Sequence, residues 1–370
     1  VHVFQNFINI GSARTGDFFV PNSFDSEFTH PKLLGSGGYG TVIGLDSRRK
    51  NRKGIAVKRF ITPFDNWRKA QRCFRELQLI RELDHENIVK MKFAYTTDKS
   101  ADELSAVYLA TEHCGTALSV LIGKEEEGNH VFSLKCYQRM ISELLRALKC
   151  LNSANVIHRD LKPDNLAIDD SGKLTLLDFG IARVMDENNQ MTSGAGTKYY
   201  RAIETIDLNN GQSERRDVSV YNEKADMWSI GATLCEMLTG KILFEDEQDS
   251  LRKAIEICGG PIPESILQEI VHVRSRDRLR DRALSATRMD FMQYFREQGR
   301  PWLRDDIERE SEALINFIDR SLIFDPSERM SVDEALRHPF LAGVRIPSKE
   351  VIADHVIAGV GDLTVDQWRK

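Results

Sequence analysis

The run His158-Arg159-Asp160-Leu161-Lys162-Pro163-Asp164-Asn165 sets a carboxylate, an ammonium and a carboxamide in one short stretch. A single Asp is more often a helix cap or a solvated charge. Together these groups offer an acceptor for a hydroxyl proton (Asp160), a neutralising cation (Lys162) and a hard oxygen for Mg²⁺ (Asn165), which phosphoryl transfer needs. Asp178-Phe179-Gly180, expected at the end of a strand, adds a second hard-oxygen ligand. The bland reading of each residue fails for the set in this order.

Two further features lie upstream. Gly35-x-Gly37-x-x-Gly40 alone would be an ordinary hairpin turn. It falls between two predicted strands rather than between strand and helix, which points away from a dinucleotide site. Backbone amides at such a turn can approach phosphate oxygens because no Cβ intervenes. Lys58 in Ile-Ala-Val-Lys would alone be a surface lysine, and Glu76 sits on the apolar side of the next predicted helix. A carboxylate there is expensive unless paired, and Lys58 is its natural partner.

The elements that must hold these groups follow from periodicity. KLLGSGGYGTVIGL reads as strand, glycine turn, strand; GIAVKRF and LSAVYLATEH are further strands; residues 67–83 form a helix. In GIAVKRF, alternation puts Lys58 opposite Val57. Beyond Cys114-Gly115 the pattern turns helical: CYQRMISELLRALKCLNSANV, then strands NLAI and KLTLLDF, then DMWSIGATLCEMLTG, apolar on nearly every side and closed by Gly240. ESEALINFIDRSLI and SVDEALRHPF are later helices, and residues 205–222 and those from 340 onward read as polar loops. The fold class is α+β: a small β-rich lobe, a hinge near 112–115 and a larger α-rich lobe.

Composition narrows the class little. The chain has 370 residues, 41% hydrophobic and 29% charged, with a formal charge of -5. That charge argues against nucleic-acid binding driven by phosphate neutralisation. No stretch reaches the 18 or so apolar residues of a spanning helix, and VHVFQNFINI lacks the features of a signal peptide. Six scattered cysteines without a Cys-x-x-Cys pair favour a reduced compartment over zinc or a disulfide scaffold.

These motifs resemble the signature set of eukaryotic protein kinases. The resemblance implies ATP and Mg²⁺, with Lys58 paired to Glu76, Asp160 accepting the hydroxyl proton beside Lys162, and Asn165 and Asp178 holding the metal. It places the nucleotide against Gly35, Ser36, Gly37, Gly38, Tyr39, Gly40, Val42, Ala56 and Lys58, with Thr111 as gatekeeper and Glu112 to Cys114 as the adenine-contacting hinge. Lys162 is similar to serine/threonine rather than tyrosine kinases.

FRELQLI, HENIV, TSGAGTKYYRAIE, ICGGPIPESI and DLTVDQWRK narrow the resemblance to mitogen-activated protein kinases over nearly the whole chain. FINIG…FFV, YTTDKSADELSAVYL and KYYRA resemble the c-Jun N-terminal, stress-activated branch. The expected division is an N-terminal extension with a hairpin (1–29), an N-lobe (30–112), a C-lobe (113–341) and a C-terminal extension packing back on the kinase domain (342–370). The resemblance implies proline-directed protein substrates, read by Gly196, Thr197 and Arg201, and an upstream mitogen-activated protein kinase kinase. Regulation would act through phosphate on Thr192, caged by Arg75, Arg159 and Arg183, with Ser193 a second acceptor. Such a protein works in the cytoplasm or nucleus; neither nucleic acid nor membrane is an expected partner.

The departures are specific. The family's Thr-x-Tyr lip reads Thr192-Ser193-Gly194, and Ala-Pro-Glu reads Ala202-Ile203-Glu204, whose Glu204 can still pair with Arg329. Ile346, Ser348 and Lys349 stand where the family's docking patch has carboxylates, which implies docking partners of altered specificity. The insertion 207–219 has no counterpart. The run Arg48–Lys53 reads as a solvated turn, with a nuclear import signal as the alternative. A kinase-fold scaffold with little turnover is the alternative to an active enzyme.

Overall fold

A computed structural model of the chain describes residues 6–13, 16–29, 31–37, 40–49, 52–60, 62–100, 104–126, 132–185, 190–192, 197–205, 218–220, 222–245, 250–268 and 273–358. Its fold class is α+β, in two compact units. The described residues up to Gly115 form the first, joined by Leu177–Gly180; Thr116–Leu176 and the described residues of 181–358 form the second.

The first unit opens with an antiparallel hairpin, β1 (Phe7–Ala13) and β2 (Gly16–Pro21), and a short helix α1 (Ser23–Glu27). Strands β3 (Lys32–Gly37), β4 (Gly40–Leu45) and β5 (Ile55–Phe60) follow, then helix α2 (Trp67–Glu82), β6 (Met91–Tyr95) and β7 (Tyr108–Glu112). The sheet order is β3-β4-β5-β7-β6, with all neighbours antiparallel. Period-two alternation gives this sheet two distinct faces. On one, Val57 and Tyr108 are fully buried among Ile43, Leu45 and Ile55, and the hairpin's Phe18 and Val20 and helix α1's Phe24 complete the core. Tyr95 and Tyr108 stack with centroids 4.8 Å apart, and the Tyr95 hydroxyl donates to the Phe19 carbonyl at 2.8 Å.

Helix α2 starts where the Asn66 side chain accepts from Lys69 N–H, a cap worth about 1 kcal/mol. Its buried positions, Ala70, Cys73, Glu76, Leu79 and Ile80, recur at helical spacing and form one stripe. Within the run Arg48–Lys53, of which Lys50 and Asn51 lie outside the described residues, Arg48 and Arg49 are exposed, as a solvated turn requires. Arg48 also donates to the Phe28 carbonyl at 2.7 Å and Arg52 pairs with Glu27, so both cations meet the end of α1.

The second unit begins with β8 (Thr116–Ala117) and α3 (Leu118–Glu126), then α4 (Leu134–Ser153), capped by the Ser133 side chain. Short strands β9 (Val156–Ile157), β10 (Leu166–Ile168), β11 (Leu174–Leu176), β12 (Arg183–Val184), β13 (Gln190–Thr192) and β14 (Val218–Val220) follow. They pair as β11-β10-β8, β12-β9 and β13-β14. Helix α5 (Lys224–Thr239) is buried at every position from Ala225 to Thr239, as its apolar surround predicts, and ends at Gly240, which adopts φ 76° and donates to the Glu236 carbonyl at 2.7 Å. Helices α6 (Ser250–Cys258), α7 (Glu264–Gln268), α8 (Val273–Ser285), α9 (Phe291–Gln298), α10 (Arg304–Arg309), α11 (Ser311–Ser321) and α12 (Val332–Leu336) complete the unit. Helix α12 carries a full capping box between Ser331 and Glu334.

Two stretches expected as polar loops are more structured. Val218–Val220 pairs with the lip, Thr192 opposite Val218, because two valines flanking one serine favour a ladder once a partner strand is at hand. Beyond 340 the chain folds back on α4's end: Ala353 N–H donates to Ser153 Oγ at 2.7 Å, and the buried Ile357 donates to the Ala154 carbonyl at 3.0 Å.

Candidate active site

Strand register, rather than nearness in sequence, gathers the first group of candidates. Lys58 lies opposite Val42, Ala56 opposite Thr111, and Phe60 opposite Gly40, so all of these share the face away from the aromatic core. A side chain at Gly40 would come within 2.7 Å of the Arg59 carbonyl and press on the Lys58 stem; Gly35 and Gly37 face open space. Ser36 and Thr41 hydroxyls meet across the hairpin at 3.2 Å. Gly38 and Tyr39 lie outside the described residues. Thr111 Oγ1 approaches the Ala56 carbonyl at 3.4 Å, and the Cys114 thiol donates to the Glu112 carbonyl at 3.3 Å.

The Lys58 ammonium donates to both oxygens of Glu76, at 2.7 and 2.9 Å, and to Asp178 Oδ1 at 3.2 Å. Burial alone would lower the lysine's pKa; the two carboxylates outweigh it and raise it. Burial pushes the Glu76 carboxyl up to about 7 against the pull of Lys58. Asp178 lies two residues beyond β11 rather than at its end, with φ 53° in a region that costs a non-glycine residue. Its Oδ1 also accepts from Gly180 N–H at 3.0 Å.

The second group lies in the other unit. Asp160 Oδ1 accepts from the backbone N–H and hydroxyl of Thr197 at 2.8 and 2.9 Å. Its Oδ2 accepts from Asn165 Nδ2 at 2.9 Å and meets Lys162 Nζ at 3.0 Å. Burial would raise the Asp160 pKa; Lys162 and these hydrogen bonds hold it below the usual carboxylate range. Asn165 Nδ2 donates also to the Asp160 carbonyl, which orients the amide and leaves its oxygen as the ligating atom. Among the described residues no group of three or more His, Cys, Asp or Glu forms a metal cage. Asn165, in the second unit, and Asp178, in the first, each offer a hard oxygen of the kind Mg²⁺ takes alongside water and phosphate oxygens.

Sequence reasoning missed the anchor of this loop. Buried Asp226, in the first turn of α5, accepts the N–H groups of His158 and Arg159 at 2.9 and 3.0 Å, and Arg159 sits at φ 71°. A carboxylate within so apolar a helix was the available signal, since it must find donors. Thr197, one of the residues expected to read substrate, donates to Asp160 through both its backbone N–H and its hydroxyl. The expected pair of Glu204 and Arg329 is present, bidentate at 2.7 and 3.0 Å and buried, with Arg329 also over the Trp228 ring.

Among the cage candidates, Arg159 is buried, Arg183 lies on β12, and Arg75 lies on α2 in the first unit. The Thr192 backbone runs in β13. Ser193, Gly194 and Gly196 are outside the described residues. Arg201 ends a helical turn spanning Lys198–Tyr200.

Residues 28–341 match the protein kinase domain family. The chain is 32% identical to mitogen-activated protein kinase pmk-3 of Caenorhabditis elegans over 93% of its length and 70% of the relative's. It is 32% identical to mitogen-activated protein kinase 12 of Mus musculus, over 91% and 84% of the two chains. With mitogen-activated protein kinase 14 of Xenopus laevis it shares 33% identity, over 91% and 86%. These are p38-type relatives, so the expected c-Jun N-terminal branch is corrected. The segments used for that branch answer packing demands, the hairpin covering the sheet's aromatic face and Tyr200 bonding Glu236 on α5, and such demands do not discriminate branches. The chain belongs to the protein kinase family and, within it, to the mitogen-activated protein kinases: it is a serine/threonine protein kinase of stress-type signalling.

Proposed function

We propose that the chain transfers the γ-phosphoryl group of ATP to serine or threonine hydroxyls followed by proline. The Asp160 network carries this reading: a carboxylate kept ionised and oriented by Thr197, Asn165 and Lys162. Asp160 takes the hydroxyl proton as the substrate oxygen bonds to γ-phosphorus and the bond to ADP oxygen breaks. Lys162 neutralises charge on the transferring group, and Lys58, braced by Glu76, holds α- and β-phosphate oxygens. Asn165 and Asp178 would hold Mg²⁺, which when bound neutralises charge on the β- and γ-phosphate oxygens.

Proline preference is supported by Gly196, which accepts φ > 0 without steric cost, and by Arg201, which in the family absorbs the freed carbonyl. The sheet face carrying Val42, Ala56 and Thr111 suits an adenine, with Glu112 to Cys114 as its polar edge. Docking partners differ from ordinary basic peptides: Glu350 already pairs with Arg345 at 2.7 Å and Lys149 at 3.3 Å, and Ile346 is exposed. Among the described residues no helix is long and apolar enough to cross a membrane. The resemblance to mitogen-activated protein kinases supports a cytoplasmic or nuclear site of action.

The test is single-turnover γ-phosphate transfer to a peptide array, beside Asp160→Asn and Asp178→Asn. Transfer enriched at Ser/Thr-Pro and lost by 10²-fold or more, roughly, in both variants is expected. An array without proline enrichment overturns the specificity; both variants retaining more than about a tenth of the rate overturns the site.

A further inference from the structure

Lys58 is held by more than its carboxylates. Phe60 lies two positions along β5, so pleating puts both side chains on one face. The ammonium stands 5.2 Å from the centroid of the Phe60 ring, over its face. Phe60 is 5% exposed, and its backbone N–H donates to the Val107 carbonyl at 3.0 Å, which pins the strand end beneath the ring. On the opposite strand Gly40, the register partner of Phe60, leaves the Lys58 stem its room; a Cβ there would sit 3.3 Å from Cγ and 3.4 Å from Cε.

The surroundings of the ammonium divide by chemistry. Glu76 and Asp178 occupy its donors, and an arriving phosphate competes with Asp178 for the same protons. The ring accepts no conventional hydrogen bond from those donors and attracts the cation through its quadrupole, so its contact survives the exchange. A desolvated ammonium is where this attraction counts most. A flexible four-carbon stem otherwise has entropy to lose on binding phosphate.

We propose that Phe60 is a positioning residue that holds the Lys58 ammonium in place for ATP phosphate, an inference that rests on the reading of Lys58 as the phosphate-contacting cation. Phe60 touches neither phosphate nor substrate; it acts through Lys58.

Phe60→Leu, Phe60→Met and Phe60→Tyr are compared with wild type and Lys58→Met, each checked for folding by circular dichroism and thermal melting. Expected is a rise of about three- to thirtyfold in KM for ATP in the Leu and Met variants, the range a cation–π contact represents. The peptide KM stays unchanged, and Tyr, which keeps the ring face, remains within about twofold of wild type. Met keeps a comparable volume without a ring face, so it serves should the Leu variant fail to fold. An ATP KM unchanged in the folded Leu or Met variant overturns the inference. So does an equal rise in both KM values, or a Tyr variant as impaired as Leu, since each marks Phe60 as packing only. If Lys58→Met keeps more than about a tenth of the wild-type rate, the underlying reading of Lys58 fails instead, whatever the Phe60 variants do.

Discussion

Thr197 donates to one carboxylate oxygen of Asp160 twice, through its backbone N–H at 2.8 Å and its hydroxyl at 2.9 Å, while the same hydroxyl accepts from Lys162. The residue just past the lip therefore sets the orientation of the candidate base. Thr197→Val keeps the shape and the backbone bond but removes the hydroxyl. Its kcat should fall by roughly 10- to 100-fold, the worth of a hydrogen bond to a charged group, while Thr197→Ser stays within about threefold. A Val variant at wild-type kcat in peptide phosphorylation assays would show that the hydroxyl link is idle.

Glu76 gives the pH dependence a direction. Burial raises its carboxyl to about 7, so the ion pair with Lys58 is lost as pH falls below that value. The kcat/KM for ATP, which reports the free enzyme, should drop about tenfold per unit on the acid side of 7. Asp160, held below the usual range, stays ionised throughout and contributes no limb there. Stability runs the other way: a raised carboxyl favours the fold most fully below its unfolded value, and that contribution disappears as pH rises through about 7. Activity and melting profiles of Glu76→Gln, weak but flat across this window, check both signs.

The buried pair of Arg329 and Glu204 is a stability element. Glu204→Gln or Arg329→Met alone leaves an uncompensated buried charge and should cost about 3–5 kcal/mol. The double change to apolar residues should recover much of that loss. Denaturant melts of the three variants decide it; single variants as stable as wild type would mean that Ile203 and Trp228 hold this region without the pair.

Phosphate on Thr192 is the expected switch. Within the second unit, Arg159 and Arg183 would receive it through charge-assisted hydrogen bonds. After treatment with an upstream mitogen-activated protein kinase kinase, intact-mass and phosphosite mapping should find Thr192 modified, and Thr192→Ala should not activate. Full activation of that variant, or activation tracking only Ser193, would exclude the threonine as the switch.

The chemistry of this protein was legible in residue types and short spacings because phosphoryl transfer demands a narrow set of groups in a narrow order. Lys58 opposite Val57, Glu76 on the apolar stripe of α2 and Gly240 closing α5 follow from periods of two and 3.6, which are local properties of the chain. Long-range pairing is not local, and only the tertiary structure decided it. Asp226 reaches back to the N–H groups of His158 and Arg159, Asp178 turns through a strained φ to meet Lys58, and Thr197 closes on Asp160. The ladder between Thr192 and Val218 is likewise set by whichever strand lies alongside, which no propensity at 218–220 could name. The ring beneath Lys58 illustrates both halves: parity places Phe60 on the right face, but the 5.2 Å contact exists because Glu76 and Asp178 draw the ammonium over it.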